Sequence, residues 1–255
     1  MLFIMVIEKP TSNPLILNKN RGAASRPGEI CGLVDRVAVL ASGGLDSAVL
    51  LADLARSNEV FPINVRVGLA WEEEEARALA AFVATLNSGN VQPVTTLTLP
   101  IEPFYGNHWG VTGQEMPGAG TEDNAVFLPG RNILLVGLAA VWCSTHEVSR
   151  IAIGSLGDNP FPDASPDFFR AFGSVLSRGL AHQVAVEAPY RGLHKHDLIR
   201  DHRHLPLELT VTCLAPKDGV HCGVCNKCDE RQRAFGEAGT PDRTRYAARV
   251  RERRG

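Results

Sequence analysis

From Val37 to Arg56 the chain reads VAVLASGGLDSAVLLADLAR: an apolar run, an abrupt break at Ser42-Gly43-Gly44-Leu45-Asp46-Ser47, and apolar residues resuming at helical spacing. The pattern predicts a buried strand, a tight loop and a helix, the opening unit of an α/β sheet. Adjacent glycines let the backbone turn sharply and approach a ligand. The helix behind them presents unpaired N–H groups and the positive end of its dipole to an anion. Leu40 to Ser47 are therefore a candidate phosphate site: Leu40 and Ala41 end the strand, Ser42 and Ser47 offer hydroxyls, and Asp46 offers a carboxylate able to orient Mg²⁺. A Walker loop needs Gly-Lys-Ser/Thr and a dinucleotide fold needs three spaced glycines. Neither is present, so those nucleotide folds are not expected.

The alternation continues. Strands are expected at Val60–Val67, Val94–Leu99, Arg150–Ser155 and Val184–Glu187, and helices at Glu72–Leu86, Arg131–Thr145, Pro166–Arg178 and Lys195–His204. Right-handed crossovers then give a parallel Rossmann-like sheet flanked by helices, which binds ligands beyond the carboxyl ends of its strands. The acidic run Glu72–Glu75 opens a helix, where negative charge suits the dipole, and is read as a solvated turn without chemistry. Residues 100–127, with His108 and Trp109 but no clean period, form a loop long enough to be expected as functional or mobile.

With 255 residues, 44% hydrophobic and 21% charged, the chain can bury a full core and is expected to form one large domain with a small appendage. The expected organisation is a disordered extension over 1–34, the α/β domain over 35–208, a cysteine segment over 209–238 and a basic tail over 239–255. A net charge of −2 sets up no global field for nucleic acid or membrane, so direct binding to either is not expected. No apolar stretch reaches the roughly 18 residues of a membrane span. The opening MLFIMVI lacks the basic flank and cleavage site of a signal peptide, so a cytoplasmic protein is expected.

Four of the six cysteines, Cys213, Cys222, Cys225 and Cys228, cluster in TCLAPKDGVHCGVCNKC. Overlapping C-x-x-C turns plus an upstream thiol supply four soft ligands for one tetrahedral Zn²⁺ per chain. With no position left open, that ion is structural. Disulfides are the alternative, but nothing indicates export. His221 is read as a neighbour of the site, not a ligand. Cys31 and Cys143 are read as inert, Cys143 on the apolar face of a helix.

The Ser42–Ser47 loop resembles that of the N-type ATP pyrophosphatases, which cleave ATP between the α- and β-phosphates and adenylate a substrate. Adding Pro129-Gly130-Arg131-Asn132 at a helix start and HCGVCNKCDERQRAF near the C-terminus, the chain from about Val37 to Phe235 resembles the 7-cyano-7-deazaguanine synthase family of the queuosine and archaeosine pathways. The resemblance implies adenylation of 7-carboxy-7-deazaguanine, attack by ammonia, adenylation of the resulting amide and loss of AMP to leave the nitrile. It also implies a homodimer. By position, Leu40 to Ser47 with Gly130 and Arg131 would bind ATP, with Asp46, Ser47, Arg131 and Lys195 in catalytic roles. Asn132, Phe161 and Asp163 would bind the acid. Asp163 is suited either to accept from a guanine-like edge or to close a turn and cap the next helix.

One segment departs from the family. In Gly154–Phe169, Phe161 stands where a tyrosine is usual and Ser165 where an arginine is usual. Losing a guanidinium fork changes how a carboxylate can be held. It motivates an alternative within the same fold: an adenylating ligase that transfers the deazaguanine acyl group to another amine and stops at the amide. A zinc-stapled nucleotide-binding module without turnover is a third reading, disfavoured by the retention of Asp46.

Overall fold

The computed structural model describes residues 34–248. Strands β1 (Asp35–Leu40), β2 (Asn58–Arg66), β3 (Thr95–Thr98), β4 (Arg150–Ile153) and β5 (Ala185–Glu187) form one parallel sheet in the order β3-β2-β1-β4-β5. Helices α1 (Leu45–Leu54) and α2 (Glu72–Thr85) follow the first two strands. The short α3 (Glu102–Tyr105) and α4 (Trp109–Thr112) lie in the segment after β3, and α5 (Arg131–Thr145), α6 (Pro166–Leu180), α7 (Lys195–Asp201) and α8 (Asn226–Glu237) complete the chain. The expected strands and helices all form, with ends moved by a few residues. The expectation did not include α3, α4 or α8, whose sequences are too short or too polar to show an apolar period.

β1 is the centre of the sheet and reads as a continuous apolar run because both of its faces are covered. Val37, Ala38 and Val39 are fully buried. Alternation sends Val37, Val39 and Ala41 to one face, against Val49 of α1, Leu79 of α2, Leu198 of α7 and Phe235 of α8. Ala38 and Leu40 go to the other, against Val136 and Ala140 of α5 and Phe169 of α6. Each fully buried Leu, Val or Phe contributes about 1.5–3 kcal/mol. The chain runs outward from β1 to β3, then returns to lay β4 on the opposite side of β1. That reversal opens a crevice between the carboxyl ends of β1 and β4. Gly154, just after β4, packs so closely there that a Cβ would lie 2.9 Å from the carbonyl carbon of Asp46.

Residues 239–248, expected to begin a solvated basic tail, instead run back along the cysteine segment. His221 N donates to Arg245 O at 2.9 Å, Ala247 N to His221 O at 2.8 Å, and Ala248 N to Cys222 O at 3.2 Å. Arg231 of α8, only 1% exposed, ties this return to the domain. Its guanidinium donates to Thr244 Oγ1 at 3.0 Å, Thr210 Oγ1 at 3.0 Å and Leu207 O at 2.7 Å. The rest of the expected tail, and residues 1–33 of the N-terminal extension with Cys31, lie outside the described residues. No described helix is long and apolar enough to cross a membrane.

Candidate phosphate site and four-cysteine centre

The Ser42–Ser47 loop is held open by its own hydrogen bonds. Ser42 Oγ accepts from Gly44 N at 3.1 Å, while Ser47 Oγ donates to Gly44 O at 3.0 Å and accepts from Ser42 N at 3.3 Å. Gly43 has φ +97°, and a Cβ there would lie 2.2 Å from the carbonyl oxygen of Glu75 on α2. Only glycine allows this backbone and this approach. Val211 N closes the far side by donating to Gly43 O at 3.0 Å. No side chain caps α1, so the first amides of that helix remain for an incoming anion.

Most of the loop lines a cavity of about 330 Å³. Of the expected site residues, Leu40, Ala41, Ser42, Gly44, Leu45, Asp46, Ser47, Arg131, Asn132, Phe161 and Lys195 line it. Gly43, Gly130 and Asp163 do not. Gly130 instead supplies the left-handed turn before α5, at φ +76°. Asp163 is buried, and its carboxylate accepts from Asn132 N at 3.0 Å and from Asn132 Nδ2 at 3.3 Å. Its carboxylate therefore caps α5, the helix before it, and not the following helix that was expected. A carboxylate suits the positive end of α5, and the bond pins the Asn132 side chain. α6 takes its cap from Ser165, whose Oγ accepts from Phe168 N at 3.2 Å. Phe161 stacks on Phe127, with centroids 4.7 Å apart and an interplanar angle of 23°.

Lys195 opens α7 and reaches Asp46 Oδ2 at 3.4 Å while also pairing with Glu230 of α8. Burial opposes the charge on Lys195, but Asp46 and Glu230 outweigh it and hold its ammonium above the ordinary lysine range. Burial likewise opposes the charge on Glu230, and Lys195 and Lys227 overcome it, bringing that carboxyl down to about 2. At Asp46 burial wins and raises the carboxyl, with Lys195 pulling the other way. Asp46 Oδ1 and Arg131 Nε are both buried without a hydrogen-bond partner. Orphaned polar atoms on a cavity wall need a cation, water or ligand to satisfy them.

The acidic run is not the solvated turn expected. Glu72 accepts from Val67 N and Gly68 N, both at 2.8 Å, and pairs with Arg66 at 3.2 Å. Glu74 accepts from Asp218 N at 3.0 Å and Gly219 N at 3.2 Å, tying α2 to the cysteine segment. Glu75 lines the cavity, where burial pushes its carboxyl up to about 7 against the pull of Arg131. Four consecutive glutamates look alike in sequence, and only the packing of α2 against the loop separates them. Lys227 and Glu230 were also missed. Their signal was an i,i+3 pair of opposite charge inside the cysteine motif.

In the cysteine segment the four Sγ atoms lie within 4.8 Å of one another, Cys222 and Cys228 at 3.9 Å. A tetrahedral ion with bonds of about 2.3 Å to sulfur sets its ligands about 3.8 Å apart. Backbone amides point at the sulfurs: Cys222 N and Ala215 N donate to Cys213 Sγ at 3.1 and 3.3 Å, and Gly223 N to Cys228 Sγ at 3.4 Å. Such donors favour thiolates, and the set could hold a metal such as zinc. His221 is not in the group. Cys143, fully buried on α5, has its thiol pushed up to about 12 by burial, which removes it as a nucleophile.

An open parallel sheet flanked by helices, with the glycine loop at its reversal point and a candidate thiolate metal centre beside it, defines a Rossmann-like α/β protein. A family model described as "Queuosine biosynthesis protein QueC" matches residues 36–239, and the chain belongs to the QueC family. Its relatives include a 7-cyano-7-deazaguanine synthase of Myxococcus xanthus, 34% identical over 84% of this chain and 98% of that protein. Another, from Methanothermobacter thermautotrophicus, is 31% identical over 83% and 99%. A protein of Desulfitobacterium hafniense named 7-cyano-7-deazaguanine synthase 1 is 32% identical over 79% and 91%.

Proposed function

We propose that the chain converts 7-carboxy-7-deazaguanine and ammonia to 7-cyano-7-deazaguanine, cleaving ATP to AMP and pyrophosphate. One observation carries the reading. A single cavity is lined both by the Ser42–Ser47 loop, Lys195 and Arg131, suited to polyphosphate, and by Asn132 and the aromatic ring of Phe161, suited to a flat nitrogenous ring.

In this mechanism the substrate carboxylate attacks the α-phosphorus of ATP and expels pyrophosphate, whose developing charge the loop amides, Ser47 and Lys195 stabilise. Arg131 faces the α-phosphate and then the acyl-adenylate. Ammonia adds to the acyl carbon, AMP leaves with the former carboxylate oxygen, and a proton is released as the amide forms. The amide oxygen attacks the α-phosphorus of a second ATP and expels a second pyrophosphate. Loss of that oxygen as AMP, with both protons of the amide nitrogen, leaves the carbon–nitrogen triple bond. Asp46, with its unpartnered Oδ1, would hold Mg²⁺, which neutralises phosphate charge when bound. Cys213, Cys222, Cys225 and Cys228 would hold one structural Zn²⁺, which stabilises the fold.

The alternative that ends at an amide drew on the altered Gly154–Phe169 segment. Of its two departures, Ser165 caps α6 and does not line the cavity, whereas Phe161 does line it, so only Phe161 bears on that reading at the site. The family likeness also supports a cytoplasmic homodimer acting on small molecules. Mass spectrometry of purified protein with ATP, Mg²⁺, ammonium and the 7-carboxy acid tests the main reading. Nitrile with about two AMP per product is expected, whereas accumulation of amide, or an unconsumed acid, would overturn it.

A further inference from the structure

Lys227 lies between two metal-ligating candidates, Cys225 and Cys228, in the first turn of α8. It lines the phosphate-site cavity and also a neighbouring cavity of about 320 Å³ that shares Asp46 and Lys195 with it. Its ammonium donates to Glu230 Oε2 at 2.6 Å, while the other oxygen of the same carboxylate takes Lys195. One carboxylate therefore gathers two lysines beside the phosphate loop. On the far side of Lys195 stands Asp46, and the charge of Lys227 reaches Asp46 as well.

A lysine paired at i,i+3 on an open helix face would need no further explanation. Here the pair lines the neighbouring cavity, with 29% of the Lys227 side chain and 27% of that of Glu230 exposed. Two ammonium groups and two carboxylates leave the empty cluster neutral. A polyphosphate brings more negative charge than Glu230 alone and offers several oxygens, so it can engage both lysines while Glu230 keeps them together. The arrangement exists because α8 grows directly out of the cysteine centre: Cys225 is its N-cap residue and Cys228 sits in its first turn.

Resting on the function proposed above, we propose that Lys227 is a second phosphate-binding lysine, carried to the ATP site by the helix of the cysteine centre, with Glu230 as the residue that positions Lys195 and Lys227 together. The cysteine centre is then an organiser of the phosphate site as well as a staple.

The test is calorimetric binding of inorganic pyrophosphate with Mg²⁺ to the full, zinc-loaded chain. Lys227→Ala should weaken binding about tenfold, the loss of one charge-assisted contact, while Lys227→Arg stays within about threefold of the parent. Zinc content and melting temperature are read on each variant, and Lys227→Gln is measured if the alanine variant loses zinc. In turnover, KM for ATP should rise without a matching change in KM for the acid. Unchanged pyrophosphate affinity in a zinc-replete Lys227→Ala or Lys227→Gln protein, with nitrile still formed by the parent, overturns this inference alone. A parent protein that binds no pyrophosphate and forms no AMP overturns the proposed function with it.

Discussion

Gly43→Ala isolates the contact on which the phosphate loop is built. The backbone there has φ +97°, outside the range an L-residue adopts at ease, which costs about 1–3 kcal/mol by itself. The added Cβ would also sit 2.2 Å from Glu75 O and 3.0 Å from Glu75 C, about 1 Å inside contact distance, against backbone that cannot rotate away. Relief requires the loop and α2 to separate, which adds about 1–3 kcal/mol. Two neighbours serve as controls. Gly68 has φ +87° but open space around its Cβ position, so Gly68→Ala carries backbone strain alone. Gly44 has φ −71°, and its Cβ would meet nothing nearer than Ser42 Oγ at 3.2 Å, so Gly44→Ala carries little of either. Taking the middle of each range and about 2–4 °C per kcal/mol, Gly43→Ala should melt roughly 8–16 °C below the parent, Gly68→Ala about 4–8 °C below and Gly44→Ala close to it. Thermal melts followed by circular dichroism give the order directly. If Gly43→Ala melts with or above Gly68→Ala, contact with α2 does not hold the loop.

Asp46→Asn should fold with a small change in melting temperature, since Glu230 still partners Lys195, but lower kcat/KM for AMP formation by about 10²-fold or more; coupled AMP detection reads it. Glu75 is protonated in the fold up to about pH 7 but ionises in the unfolded chain above about 4.5, so stability falls as pH rises through that window and is level beyond it. Glu75→Gln removes that loss, and its gain in melting temperature over the parent should be nil near pH 4 and largest at about pH 8. Arg231→Met takes the guanidinium donor from Thr210 Oγ1 and Thr244 Oγ1 and one of three donors from Leu207 O, and urea unfolding should show a loss of about 2–4 kcal/mol. Cys228→Ser should reduce bound zinc below one per chain by native mass spectrometry and lower the melting temperature, with added zinc failing to restore it.

The strands, the loop and the long helices were legible because their signals are local: apolar runs, turn residues and cap positions lie within a few residues of one another. The four-cysteine group was legible for the same reason. Its ligands come from one short segment, apart from Cys213. The roles of Glu75, Glu230 and Lys227 were not, since each is defined by a partner far away in sequence, on α5, α7 or the phosphate loop.

By itself the sequence determined that this chain makes a parallel sheet, turns at Ser42–Ser47 into a helix, and gathers thiols near its C-terminus. Covalent proximity and side-chain periodicity suffice for these. Only the tertiary structure decided which charges meet. It directed Asp163 onto Asn132, buried Arg231 under residues 239–248, and set Lys195 between Asp46 and Glu230. The physical reason is that a charged side chain takes its role from desolvation and from the nearest opposite charge. Both are properties of the packed chain, and neither can be read from a residue's neighbours in sequence.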